Sequence, residues 1–158
     1  MNTHRLFLLM AAAALGASLA PVASAQSAPA PKAPVASAVF AWDALAVRPT
    51  KVGARRDVLD GPTRTLANLE CHVTTVNPGE APHAAHRHPD EEMLFVKEGT
   101  IEVTINGVAQ PAGPGSVVFF ASGDLHGIRN TGTVPATYYV LRFVPHDLPR
   151  PAPAPVSR

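Results

Sequence analysis

His86, His88 and Glu92 share one parity along the chain, and His126 lies 38 positions beyond His88. On an extended backbone, residues two apart point to the same side. The two imidazoles and the carboxylate therefore face one way if the strand stays regular through Pro89, with Leu94 and Val96 continuing that face. Burying such groups without partners is costly, and a divalent transition ion satisfies all of them at once. His126 follows a Ser-Gly-Asp turn that can return a distant strand to the first. A second reading stands beside this one. A His-x-His next to Pro is also the mark of a solvated loop, and Asp90-Glu91-Glu92 also reads as an exposed acidic patch.

The elements that must position these groups read as short strands. Leu69, Cys71 and Val73 alternate with Glu70, His72 and Thr74, and Ile101, Val103 and Ile105 alternate with Thr100, Glu102 and Thr104. Asn106-Gly107 follows directly and favours a type I′ hairpin, because both residues tolerate positive φ. Val117 to Phe120 and Thr137 to Phe143 are apolar, β-branched and aromatic, and read as well-buried strands. Turn signals at Asn77-Pro78-Gly79, Gly113-Pro114-Gly115 and Ser122-Gly123-Asp124 separate the runs. The expected fold class is all-β, a sandwich or barrel.

The 158 residues suffice for one domain with a sizeable core. Residues 1–25 read as an export signal: Arg5, an apolar run from Leu6 to Ala20, then Ala23-Ser24-Ala25 as a cleavage pattern, with the cut expected after Ala25. The apolar run is shorter than the roughly 20 residues a bilayer span needs. The expected location is the periplasm or the medium, with no membrane attachment after cleavage. Residues 26–38 are an Ala/Pro/Ser-rich, disordered lead-in, 39–144 the folded domain, and 145–158 a tail with five prolines. Without Arg5, 12 basic face 12 acidic residues, so no nucleic-acid surface is expected. Cys71 is the one cysteine, which excludes an internal disulfide, and it reads as a small buried hydrophobe.

With these motifs in order, the chain resembles the cupin family. The usual first cupin motif is G-x5-H-x-H-x3,4-E-x6-G. Gly79, His86, His88, Glu92 and Gly99 match it, with six residues instead of five between Gly79 and His86. The second motif is G-x5-P-x-G-x2-H-x3-N. Gly115, Gly123, His126 and Asn130 match it, with Ala121 in place of the proline. The resemblance spans residues 79–130 by motif and about 66–144 by strand pattern. It implies a double-stranded β-helix, the jelly-roll barrel, with a metal held by His86, His88, Glu92 and His126 in its mouth, and often a homodimer.

Three imidazoles and one carboxylate suit Fe, Mn, Ni, Cu or Zn. Four protein ligands leave a position open, the mark of a catalytic site in contrast to a closed structural one. The expectation is a small-molecule metalloenzyme of dioxygenase, isomerase or decarboxylase type, an oxidoreductase in the first of these cases, acting on an oxygen-rich substrate. The alternative is a non-catalytic periplasmic module that binds a metal or small ligand. A polar cavity beside the ligands favours the enzyme, and a barrel plugged by Phe119, Phe120, Tyr138 or Tyr139 favours the module. No general base is evident beside the ligands. His83 reads as loop-exposed or at a pocket rim, His72 faces inward in one of two registers, and Asn130 reads as a turn residue.

Overall fold

The computed structural model describes residues 32–148. The expected signal and most of the tail lie outside these residues. Nine strands run in chain order: β1 (Arg48–Thr50), β2 (Gly53–Gly61), β3 (Asn68–Val76), β4 (Glu91–Glu98), β5 (Ile101–Ile105), β6 (Val108–Ala112), β7 (Val117–Phe120), β8 (His126–Asn130) and β9 (Ala136–Val144). One 3₁₀ turn, Trp42–Ala44, precedes them. None of the described helices is long and apolar enough to cross a membrane.

Two antiparallel sheets form the barrel. The larger has the order β1-β2-β3-β9-β4-β7, the smaller β6-β5-β8. β9 lies between β3 and β4, so both of its backbone edges are paired, and Ala136, Thr137, Tyr138 and Val140 along it are buried. The expectation of a well-buried strand fails for β7. Val117 and Phe119 are more than half exposed, whereas Phe120 is fully buried, because β7 is an edge strand with one open face. Val76, Leu94, Val96, Ile101, Val103, Phe120, Ile128, Tyr138 and Val140 meet between the sheets as the core.

Two turns decide how the sheets meet. Asn106 and Gly107 have φ of 49° and 86°, the all-positive pair of a type I′ hairpin joining β5 to β6. Gly99, at φ 75°, reverses the chain between β4 and β5, and a Cβ there would sit 2.6 Å from Ala136 Cα. Asn130 fastens the far end. Its side-chain amide donates to the carbonyls of Val76 and Val134, both at 2.8 Å, and its Oδ1 accepts from Gly132 N–H. It is thus a fully buried turn-holding residue.

The lead-in meets the large sheet. Val35 N–H donates to Pro62 O, Lys32 pairs with Asp60, and Arg56 donates to Leu45 O. Trp42 lies over the outer surface beside Tyr139, with Arg56 and Lys97 each 4.5 Å from its ring centroid. Val73 and Cys71 belong to this outer side of β3. The inner side carries the polar set Glu70, His72 and Thr74, all lining an internal cavity.

Candidate metal centre

His86 and His88 sit on the segment before β4 and are not part of a regular strand. Their direction comes from pairing with the turn that leads into β8. His86 and His126 exchange backbone hydrogen bonds of 2.9 and 3.0 Å, and Gly123 N–H donates to His88 O at 2.9 Å. Ser122 Oγ donates to Pro89 O, and Arg87 donates to Gly123 O. The shared parity of His86, His88 and Glu92 therefore survives the break at Pro89, because a different strand keeps the segment extended.

The outcome is a compact trio. One ring nitrogen from each of His86, His88 and His126 lies within 4.8 Å of the other two. Glu92, at the start of β4, places Oε2 3.3 Å from His88 Nε2. The rings meet at 4.7 Å (His86–His126) and 4.8 Å (His88–His126) between centroids. Phe120 stacks on His126 at 4.1 Å and 14°, fixing the ring plane from the core side.

Tautomers follow from the partners. His88 Nδ1 lies 2.8 Å from Asp90 O, and His126 Nδ1 lies 2.9 Å from Asp124 O. A carbonyl only accepts, so both Nδ1 atoms carry the proton and both Nε2 atoms present lone pairs. Those two Nε2 atoms are buried without a hydrogen-bond partner. A pair of orphaned lone pairs converging beside a carboxylate is a donor set that a divalent transition ion fits, with the backbone carbonyls orienting the rings.

The electrostatics of the pocket are those of buried like and unlike charges without an ion. Burial raises the Glu92 carboxyl above its usual range, against the pull of His88, His126 and Arg142. His86 is pushed down by burial and then by the neighbouring imidazoles of His83, His126 and His88. Asp90, which the second reading of the sequence put in an exposed patch, is buried at 3% exposure. Burial alone would raise its carboxyl, but the hydrogen-bonded Arg142 guanidinium outweighs that and lowers it.

A cavity of about 500 Å³ opens beside the trio, with His86 and Glu92 in its wall. Its remaining wall mixes polar groups, among them Arg55, Glu70, His72 and Arg142 from β2, β3 and β9, with apolar ones such as Val52, Ile128 and Val140. The barrel is not plugged. Phe120 and Tyr138 are buried, Phe119 is on the open face of β7, and Tyr139 is on the outer surface. Tyr138 also borders the cavity, and burial followed by Glu92 holds its hydroxyl protonated well above the usual phenol range. His83 is exposed, lines the rim, and meets His86 edge-on at 4.4 Å. His146 is exposed after β9 and takes no part in the trio.

His72 faces the cavity, which decides its register. Glu70 and Arg142 were not singled out as pocket residues by sequence, and His72 was left between two registers. The available signal was parity: Tyr138, Val140 and Arg142 share the inward face of β9, as Glu70, His72 and Thr74 share that of β3.

Residues 72–142 match a family described as a cupin domain. No curated protein matches the sequence. Among solved structures, an uncharacterized conserved protein with a double-stranded β-helix domain from Klebsiella pneumoniae is 25% identical, with TM-score 0.57, covering 70% of this chain and 93% of that one. KdgF from Halomonas sp. is 16% identical, with TM-score 0.58 and coverages of 71% and 98%. A predicted oxalate decarboxylase from Thermotoga maritima is 18% identical, with TM-score 0.56 and coverages of 68% and 99%.

Proposed function

Since this chain carries a cupin domain, we propose that it is an exported small-molecule metalloenzyme whose ion is held by His86, His88, Glu92 and His126. The observation that carries the reading is the cavity of about 500 Å³, lined by both polar and apolar groups, whose wall includes His86 of the histidine trio and the neighbouring Glu92. A volume in the range of small-molecule sites, opening on the donor set, supports turnover of a ligand over simple storage of an ion. Phe120 and Tyr138 fill part of the interior between the sheets, and the cavity that stays open beside them supports the enzyme reading over the module.

Bound there, the ion supplies Lewis-acid polarisation of a ligand oxygen or, at a redox metal, electrons. The chain's own groups do the rest. Asp90 and Asp124 carbonyls keep His88 and His126 in the Nδ1–H tautomer. Phe120 excludes water from the core side of His126. Arg55 and Arg142 bring positive charge to the opposite wall, where an oxygen-rich substrate would be oriented.

The test is elemental analysis of protein purified from the periplasm without affinity-tag metals, beside His126→Ala. About one Fe, Mn, Ni, Cu or Zn per chain, lost in the variant, is the expected result. Absence of metal from both forms overturns the reading. Solvent-water proton relaxation on the loaded protein separates enzyme from storage module: a fast-exchanging water is expected at the open position, and none means a closed site. Export rests on residues 1–25 and is checked by N-terminal sequencing, with Gln26 expected first.

A further inference from the structure

Two of the three clustered imidazoles cannot be the first to meet an ion. Nε2 of His88 and Nε2 of His126 are buried, and neither residue lines the cavity. His86 is the exposed member of the trio and does line it. An ion arriving from solvent or along the cavity therefore reaches His86 ahead of the two buried rings.

His83 stands beside that entry point. It is exposed, lines the same cavity, and its ring centroid lies 4.4 Å from that of His86. The trio's own rings stand at similar separations, 4.7 and 4.8 Å. His83 Nδ1 lies 3.0 Å from the carbonyl of Ala84. A carbonyl only accepts, so Nδ1 holds the proton and Nε2 keeps its lone pair for a ligand. His83 is itself outside the close-set trio.

The backbone keeps the two rings together. Asn130 N–H donates to Glu80 O at 2.9 Å, and His86 exchanges hydrogen bonds with His126. Residues 80–86 are thereby tied to β8 at both ends, with His83 midway between the ties. Ala81, Pro82, Ala84 and Ala85, which fill the rest of the span, carry no ligating side chain. An ion held on His83 is presented to His86 at an effective concentration on the order of millimolar.

Resting on the metalloenzyme reading, we propose that His83 and His86 form a loading site for a divalent transition ion. His86 belongs to both sets of ligands, so the ion passes inward by ligand exchange. His83 lets go as His88, Glu92 and His126 engage. Because His83 holds the ion in neither the free nor the final state, it speeds entry and exit alike and leaves the final affinity unchanged.

The experiment mixes metal-free protein with zinc in stopped flow, the free ion being followed by a chromophoric indicator. Release is timed in a large excess of chelator, and affinity is measured at equilibrium. In His83→Asn, uptake from micromolar zinc is expected to slow at least about tenfold, with release slowed by the same factor and Kd unchanged. The side chain is exposed, so the variant is expected to keep its fold. His83→Cys, kept reduced, restores a ligating atom at the same place and is expected to regain most of the rate. That rescue separates loss of a ligand from disturbance of the loop, and its failure overturns the proposal. Unchanged uptake in His83→Asn overturns it too and leaves the metal centre standing. A weakened Kd would make His83 a permanent ligand, which equally overturns a transit role. No zinc bound by the wild type removes the metal centre, and this proposal with it.

Discussion

Arg142 grips the Asp90 carboxylate with two parallel hydrogen bonds, Nε to Oδ2 at 2.8 Å and Nη2 to Oδ1 at 2.9 Å. Asp90 in turn accepts the Nδ1 proton of His88 on its backbone carbonyl. The guanidinium that borders the cavity and the ring that borders the trio are therefore held by one residue. Arg142→Met leaves the Asp90 carboxylate buried without its partner. We expect a loss of about 2–4 kcal/mol in urea unfolding, since the guanidinium is one-third exposed and the acid is not. Metal affinity is expected to fall as well, because His88 loses the support of its positioning residue. Unchanged stability would mean that water replaces the guanidinium at Asp90.

Acid weakens metal uptake, and Glu92 sets the window. Burial raises its carboxyl, so a proton competes with the ion at higher pH than at an ordinary carboxylate. His86, pushed down chiefly by burial, gives up its proton early and competes less. Affinity measured by competition with a chromophoric chelator is expected to fall as the pH is lowered from neutral, starting above the ordinary carboxylate range. Glu92→Gln is expected to bind more weakly throughout and with a shallower pH slope. Equal slopes for the two proteins would remove Glu92 from the ligand set.

His72 makes the fold itself sensitive to acid. Burial, followed by Arg55, lowers its pKa to about 4 against the opposing pull of Glu70. The unfolded chain has an ordinary value near 6.5, so between the two values the unfolded state binds more protons. Stability therefore falls as pH drops from about 6.5 to about 4 and levels off below. Denaturation midpoints at pH 7 and pH 4.5 should differ less in His72→Gln than in the wild type. The same difference in both proteins would show that His72 takes up its proton in the folded chain as readily as in the unfolded one.

Phe120→Ala removes a fully buried ring from the core and the face that supports His126. A cost of about 3–5 kcal/mol is expected from transfer and cavity terms together, and about 1 kcal/mol for Phe120→Leu. Thermal unfolding checks the ranking. If the two substitutions cost the same, the ring does more than fill space at this position.

How much of this was legible in the sequence depended on distance along the chain. His86, His88 and Glu92 were readable because their alignment is a matter of parity within seven residues, and His126 because a turn and a strand start beside it. Asn106-Gly107 was readable because a type I′ turn is a local demand. Glu70 and His72 were not, since their inward direction depends on β3 pairing with β9, where Glu70 faces Arg142 across 72 positions of sequence. The burial of Asp90 was not legible for the same reason: three acids in a row also read as solvated until Arg142 arrives from β9. β7 was misread because composition reports apolar side chains and not whether a strand has a neighbour on each side.

The trio also spans the seam between the two sheets. His126 begins β8 of the smaller sheet, its neighbour Glu92 is the second residue of β4 in the larger, and His86 and His88 are stitched to His126 and the turn before it. An ion shared among them would act as a removable rivet across that seam, closing a loop of 38 residues between His88 and His126. Pulling the sheets apart would then require releasing the ion first. The loaded protein should owe its persistence to slow unfolding, with a lifetime set by metal dissociation and not by the strength of its core.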